Sequence, residues 1–242
     1  MSIMTDQQVK GLTSALRSRR QTLDGELYLA LRGKIVSLEI EPGEMISENA
    51  IAAEYGISRT PVRQAFVRLQ NEELLRIIPQ RGALVSKLSE AKFREAQFVR
   101  QSLEMSAFAV VARIWNSQEP RFREAEGRIR TSLRHQVAAI ARKDYVKFIS
   151  LDEEFHTIFL EFANNDTLIS VVADMRVHLN RVRYLELTEA HHETEAIRFH
   201  RDIFKAVVAN DVDRTVETVR DHLQALEGFW VGLFARHKRL FE

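Results

Sequence analysis

The chain has 242 residues, 45% of them hydrophobic, which is enough for packed cores and suits two modest domains. It has no cysteine, which excludes a disulfide scaffold, a Cys-ligated zinc site, an iron–sulfur centre and a thiol nucleophile together. With 35 Lys and Arg against 34 Asp and Glu, the formal net charge is +1, so any nucleic acid or membrane must be met by a local patch.

Residues 1–21 carry Arg17, Arg19 and Arg20 but no following apolar run, so they read as an N-terminal extension rather than a secretory signal. No stretch approaches the roughly 18 apolar residues that cross a bilayer, and a cytoplasmic protein is expected. Apolar residues recur at three- and four-residue spacing through a chain with only 4 Pro and 9 Gly, which predicts a mainly α fold. Pro42-Gly43, Gly56, Pro61, Pro79 and Gly82 all fall before residue 83, whereas every histidine follows residue 134. That change in composition predicts two domains, 22–87 and 88–242.

In the first, Leu27, Leu31, Ile35 and Leu38 mark a helix that ends before the turn at Pro42-Gly43. Ser47 can cap a second helix, SENAIAAEY, which stops at Gly56, where a left-handed residue is needed. A third helix begins at Ser58, which can cap it, with Pro61 in its first turn, where a missing N–H costs nothing. Leu74–Ile78 and Ala83–Val85 flank Pro79-Gln80-Arg81-Gly82 and predict a two-stranded hairpin. The order is that of a winged helix-turn-helix.

On the third helix Val62, Ala65 and Leu69 share one face, while Arg59, Thr60, Arg63 and Val67 cluster on another. Six cations between Gly56 and Lys87 face only Glu72 and Glu73, a local +4. An arginine fork can bond guanine O6 and N7 or grip a phosphate, and the Ser58 and Thr60 hydroxyls can bond phosphate at the helix start. An Arg-rich face alone is ordinary solvated surface, and winged modules also serve protein contacts; the helix–turn–helix–hairpin order favours DNA.

Residues 42–86, PGEMISENAIAAEYGISRTPVRQAFVRLQNEELLRIIPQRGALVS, resemble the winged helix of GntR-type bacterial repressors, with SRTPVR and the wing RG as the specific elements. The resemblance implies that Arg59, Thr60 and Arg63, with Ser58, face the major groove, and that Arg81 and Gly82 at the wing tip reach the minor groove or its backbone. The sequence departs from the family pattern at Gln64, Phe66 and Glu73, where Glu, Leu and Gly are typical.

Beyond Ser89 six helices are predicted, roughly 89–115, 120–141, 144–163, 167–187, 193–209 and 212–237, forming an all-α antiparallel bundle. Polar residues on the apolar stripes of such a bundle need partners. Asp152 and His156 lie four apart in LDEEFHTIF, beside Phe148, Leu151, Phe155 and Phe159, and His200 and His222 sit among apolar residues on the last two helices. One carboxylate and three imidazoles can meet at the bundle centre as ligands of a divalent transition metal, Zn, Ni, Mn or Fe, although a lone helix histidine is more often exposed or hydrogen-bonded. Arg100 and Glu104, one turn apart on a buried face, either form an ion pair or present the arginine to an anionic effector. Arg181 and Arg183 are weaker candidates. His135, His178, His191, His192 and His237 are assigned surface or structural roles.

D-x-x-F-H, then H-x-x-I-x-x-A-V, then H-L some twenty residues on, resembles the FCD ligand-binding domain of the FadR branch of GntR regulators over residues 90–236. The resemblance implies that Asp152, His156, His200 and His222 hold a metal. The expected protein is a homodimer whose operator affinity, for a palindromic double-stranded site, changes with a small carboxylate at the metal pocket near Arg100, Glu104 and Arg183. Two rivals are a metal-dependent hydrolase with an accessory DNA-binding head, and a regulator whose metal is purely structural. Against the hydrolase, there is no His-Asp dipeptide, and Glu153 and Glu154 point off the ligand face.

Overall fold

A computed structural model of the chain describes residues 25–190, 193–225 and 227–242. The expected 1–21 extension and the helix break at His191-His192 lie outside the described residues. The described chain divides into two compact units between Lys87 and Leu88.

In the first unit, helix α1 covers 25–36 and buries Leu27, Leu31 and Ile35. Leu38 falls beyond it in a left-handed turn, φ 57°, rather than continuing the stripe. Helix α2, Glu48–Tyr55, starts at Ser47, whose Oγ accepts a hydrogen bond from the Ala50 N–H at 3.0 Å, and ends at Gly56 with φ 63°. Helix α3, Arg59–Asn71, buries Pro61, Val62, Ala65, Phe66 and Leu69. Ser58 occupies the N-cap position but its side chain makes no capping bond, contrary to the role expected of it.

Strands β2, Leu75–Ile78, and β3, Gly82–Val85, form the antiparallel wing with Ile78 opposite Gly82. The sheet has three strands, not the two expected, because β1, Met45–Ile46, pairs with the other edge of β3. Two residues cannot display an alternating pattern, so this strand leaves no periodic signal. Gly82 has φ 112°, and a Cβ there would lie 2.2 Å from the Ile46 carbonyl oxygen, so this residue lets β1 approach β3. Glu73 adopts φ 55°, completing the turn before the wing without the usual glycine at a cost of roughly 1 kcal/mol.

The second unit is a bundle of α4 Glu90–Ile114, α5 Pro120–Ala141, α6 Tyr145–Leu160, α7 Asp166–Ala190, α8 Glu193–Val208, α9 Val212–Gln224 and α10 Glu227–Arg236. Trp115, Phe108, Phe122, Phe155 and Phe159 form the aromatic centre of its core. The single helix expected over 212–237 is two. No Pro marks the break; α10 instead places Trp230 and Phe234 against Phe93 of α4, ring centroids 4.2 and 5.8 Å apart, and that packing overrides helical continuity. Among the described residues, no helix is long and apolar enough to cross a membrane.

Candidate metal centre and nucleic-acid interface

The first turns of α3 expose Ser58, Arg59, Thr60 and Arg63, while Val62, Ala65 and Leu69 on the opposite face are fully buried. Arg81 is exposed in the turn between β2 and β3, beside Gly82. Arg63 Nε and Nη2 donate to Glu48 Oε1 and Oε2 at 3.1 Å each, and Arg59 Nη2 donates to Oε2 at 3.0 Å. These bonds, Arg63's foremost, hold the Glu48 carboxyl below its usual range. The sequence reading missed this carboxylate because its charge window began at Gly56, and only the α2–α3 turn brings Glu48 to the basic face.

In the helical bundle, α6 contributes Asp152 and His156, α8 His200 and α9 His222, and all four are buried. One potential ligand atom from each lies within 4.8 Å of the others. His156 Nε2 is 3.1 Å and His200 Nε2 3.3 Å from His222 Nε2, and His200 Nε2 is 3.0 Å from Asp152 Oδ1. Ligands about 2.1 Å from one ion stand about 3.0–3.4 Å apart when adjacent, so these three spacings match neighbouring ligands of a single ion, while any pair near the 4.8 Å bound would have to draw in by a few tenths of an ångström to share it.

Hydrogen-bond chemistry makes the fit more specific. Gln136 Nε2 donates to the Leu151 carbonyl at 3.2 Å, so its Oε1 is the acceptor facing His200 Nδ1 at 2.8 Å. His200 therefore carries its proton on Nδ1, and its Nε2 lone pair points at a carboxylate oxygen and another imidazole nitrogen. His156 Nδ1 is turned to Glu104, 2.5 Å from Oε2, in ion-pair range but without hydrogen-bond alignment, which leaves its Nε2 in the cluster too. A cation among these lone pairs would relieve their repulsion at every pair at once, whereas a proton on His222 Nε2 could serve only one of its two imidazole neighbours and would leave the His200–Asp152 contact unrelieved. Phe155 stacks on the His200 ring at 4.2 Å and Phe108 meets His156 edge-on, fixing both imidazoles in an apolar wall.

Around the four lies a buried ionic layer. Arg183 Nη2 donates to Asp152 Oδ1 at 2.8 Å, while Glu104 receives Arg100 Nε at 2.9 Å and Arg176 Nη2 at 2.8 Å. Burial opposes ionisation of both acids, yet Arg100, His156 and Arg176 hold Glu104, and Arg183 holds Asp152, well below the usual carboxylate range. Burial pushes His156 down to about 4 and lowers His200 and His222 as well. The unfolded chain thus takes up imidazole protons near pH 6.5 that the folded chain refuses, so the histidine contribution to stability is complete above that pH and is lost as pH falls towards 4. Metal-stripped protein is therefore expected to melt at a lower temperature at pH 5 than at pH 7; an unchanged midpoint would mean that these rings are not held neutral by burial.

His222 borders two cavities of about 20 Å³ each. Arg183 lines both, and Arg100 and Gln97 line the one that also meets Phe93 and Trp230. Arg100 Nη2 and Arg183 Nε are buried without hydrogen-bond partners. Glu104 lines neither cavity and lies behind His156. A larger depression of about 1150 Å³, between α5 and α8, is open to solvent and includes none of the four clustered residues. Sequence reasoning missed Gln136, Ser132 and Arg176. The pair Ser132 and Gln136, one turn apart in line with Ile129 and Ala139, was the available signal, since both are polar and fully buried on an apolar stripe. Of the histidines set aside, His135 is exposed and His237 pairs with Glu189; His191 and His192 are outside the described residues.

Residues 23–85 match the family of bacterial regulatory proteins named gntR, and residues 95–225 match the FCD domain. The chain is 31% identical over 207 residues to the transcriptional repressor RspR of Escherichia coli K12, covering 85% of this chain and 88% of that protein. It is 32% identical over 203 residues to a helix-turn-helix regulator in an unstable DNA locus of Streptomyces ambofaciens, covering 83% and 82%. The solved structure of E. coli McbR/YncC superposes with a TM-score of 0.70 at 18% identity, over 88% of this chain and 98% of that one, which establishes a common fold. Families and relatives alike are transcription regulators rather than enzymes, which removes the hydrolase reading. The chain belongs to the GntR family of DNA-binding transcription regulators, in the group that joins the winged helix to an FCD domain.

Proposed function

We propose that the protein is a homodimeric, metabolite-responsive regulator, acting as a repressor like the E. coli relative named for that activity. Its operator is a palindrome read by Ser58, Arg59, Thr60, Arg63, Arg81 and Gly82, and its effector is a small carboxylate. The observation that carries the effector site is the convergence of the His200 Nε2 lone pair on Asp152 Oδ1 and His222 Nε2, enforced by Gln136 on the far side of the ring. Asp152, His156, His200 and His222 would hold a divalent transition metal, and their borderline nitrogen and hard oxygen donors suit Zn, Ni, Mn or Fe. Such a metal supplies a Lewis-acidic position for one carboxylate oxygen. The guanidinium N–H groups of Arg100 and Arg183 that lack partners, on two residues lining the cavity beside His222, would receive the remaining anionic charge.

Each cavity beside His222 holds about 20 Å³, the room of a single water molecule. A carboxylate of several heavy atoms must therefore push side chains apart, and Arg183 is the one that lines both cavities while bound to Asp152. Binding energy coupled to such a rearrangement is what an effector needs to bias one conformation over another. The test is a duplex selected from a randomised library, titrated with protein in the presence of small dicarboxylates and hydroxy acids, with metal present and after chelation. Metal-dependent release of the duplex by one of these acids is the expected result. Release independent of metal would leave a structural ion and move the effector site elsewhere.

A further inference from the structure

Glu48 is an acid on the surface that must face phosphates. Every DNA duplex repels it, yet it sits at the first position of α2 with only 20% of its side chain exposed, between Arg59 and Arg63, whose side chains are 59% and 63% exposed. The helix start favours its negative charge, because the N–H groups of the first turn point towards it. Both of its oxygens are used: Oε1 and Oε2 each accept from Arg63, and Oε2 also accepts from Arg59.

Two long side chains on an exposed helix face otherwise sample many rotamers, and ordering them on DNA costs free energy at each contact. An ion pair at a surface contributes little to stability, so stability is a weak reason for the arrangement. Its geometric effect is larger: one carboxylate fixes the planes of both guanidinium forks relative to α3. The residue therefore lowers affinity for any polyanion while fixing the geometry with which the two forks meet base edges.

We infer that Glu48 is a specificity-determining positioning residue, trading general DNA affinity for discrimination between sequences by holding Arg59 and Arg63 as one pre-set unit. This rests on the DNA-reading role proposed for those arginines. The experiment uses the full-length protein, a duplex selected from a randomised library, and a scrambled duplex of equal length and composition. Glu48→Ala is expected to bind the scrambled duplex about threefold to tenfold tighter while the ratio of selected to scrambled affinity falls about tenfold. Glu48→Gln, which keeps an acceptor but not the charge, is expected to fall between. Helix content and melting temperature of both variants are read alongside.

A merely structural role would weaken binding to both duplexes, and that result overturns the inference. So does tighter scrambled binding with an unchanged ratio, which would make Glu48 a simple repulsive charge. If the wild type itself shows no sequence preference, the DNA-reading role of Arg59 and Arg63 fails and the inference falls with it.

Discussion

The double variant Asp152→Ala/His156→Ala is expected to contain no transition metal when purified, against about one ion per chain in the wild type, as read by elemental analysis. The loss should be complete because α6 supplies two of the four donors, and two imidazoles alone make a weak site. Stability should fall too. Without Asp152, Arg183 loses its buried carboxylate partner, and without His156, Glu104 keeps two arginines around one acid. An uncompensated buried charge costs about 3–5 kcal/mol, which in a chain of this size corresponds to a midpoint roughly 10 °C lower. Because that destabilisation could by itself empty the site, His222→Gln is the better-behaved companion, since among the described contacts the ring's polar contacts are both through Nε2 and it has no ion-pair partner. It should lose most of its metal with a much smaller change in melting. Equal metal content in His222→Gln and the wild type would sink the assignment of the cluster as a metal centre.

The four clustered residues were legible in sequence for a simple reason. Each is a polar residue repeated in register with Phe or Leu on a helix, and burial of that stripe obliges the polar atoms to find one another. Asp152 and His156 share a helix face by spacing alone, whereas meeting His200 and His222 depends on how α6, α8 and α9 pack, which no single-helix pattern specifies. The surrounding charges were harder to read. Arg100 and Glu104 are one turn apart and pair as their spacing allows, but the same spacing said nothing of Arg176 reaching Glu104 from α7, or of Gln136 reaching His200 from α5. In the first unit the helices and the wing followed from caps and breakers, notably Ser47, Gly56 and Pro61. Strand β1 and the Glu48 clamp did not, because both exist only once the α2–α3 turn and the β3 edge are in place. The division of the last helix is the same lesson in apolar form: Trp230 and Phe234 leave the helical register of α9 to cover Phe93.

Replacing Arg63 by alanine is expected to lower affinity for the selected duplex about tenfold to hundredfold per half-site, with fold and oligomeric state unchanged. The proposed dimer would present the residue twice, so the whole-site loss would compound. The side chain lies on an exposed face and its only described partner is Glu48, which retains Arg59 when Arg63 is gone. Scrambled DNA separates the two ways of losing affinity. An arginine that reads a base leaves scrambled binding nearly unchanged, whereas one that grips a phosphate lowers both affinities and reduces the salt slope by about one unit per contact. Glu48 complicates this reading, because removing one of its two partners leaves its charge more exposed to phosphates. Comparing Arg63→Ala with Arg63→Ala/Glu48→Ala removes that contribution, and the coupling between the two sites measures how much of the arginine's effect passes through the carboxylate. Undiminished binding by Arg63→Ala in either background would move the sequence-reading surface off α3. A loss confined to the selected duplex would make Arg63 a reader of bases, and a coupling that vanishes on scrambled DNA would mean that Glu48 acts on that reading alone.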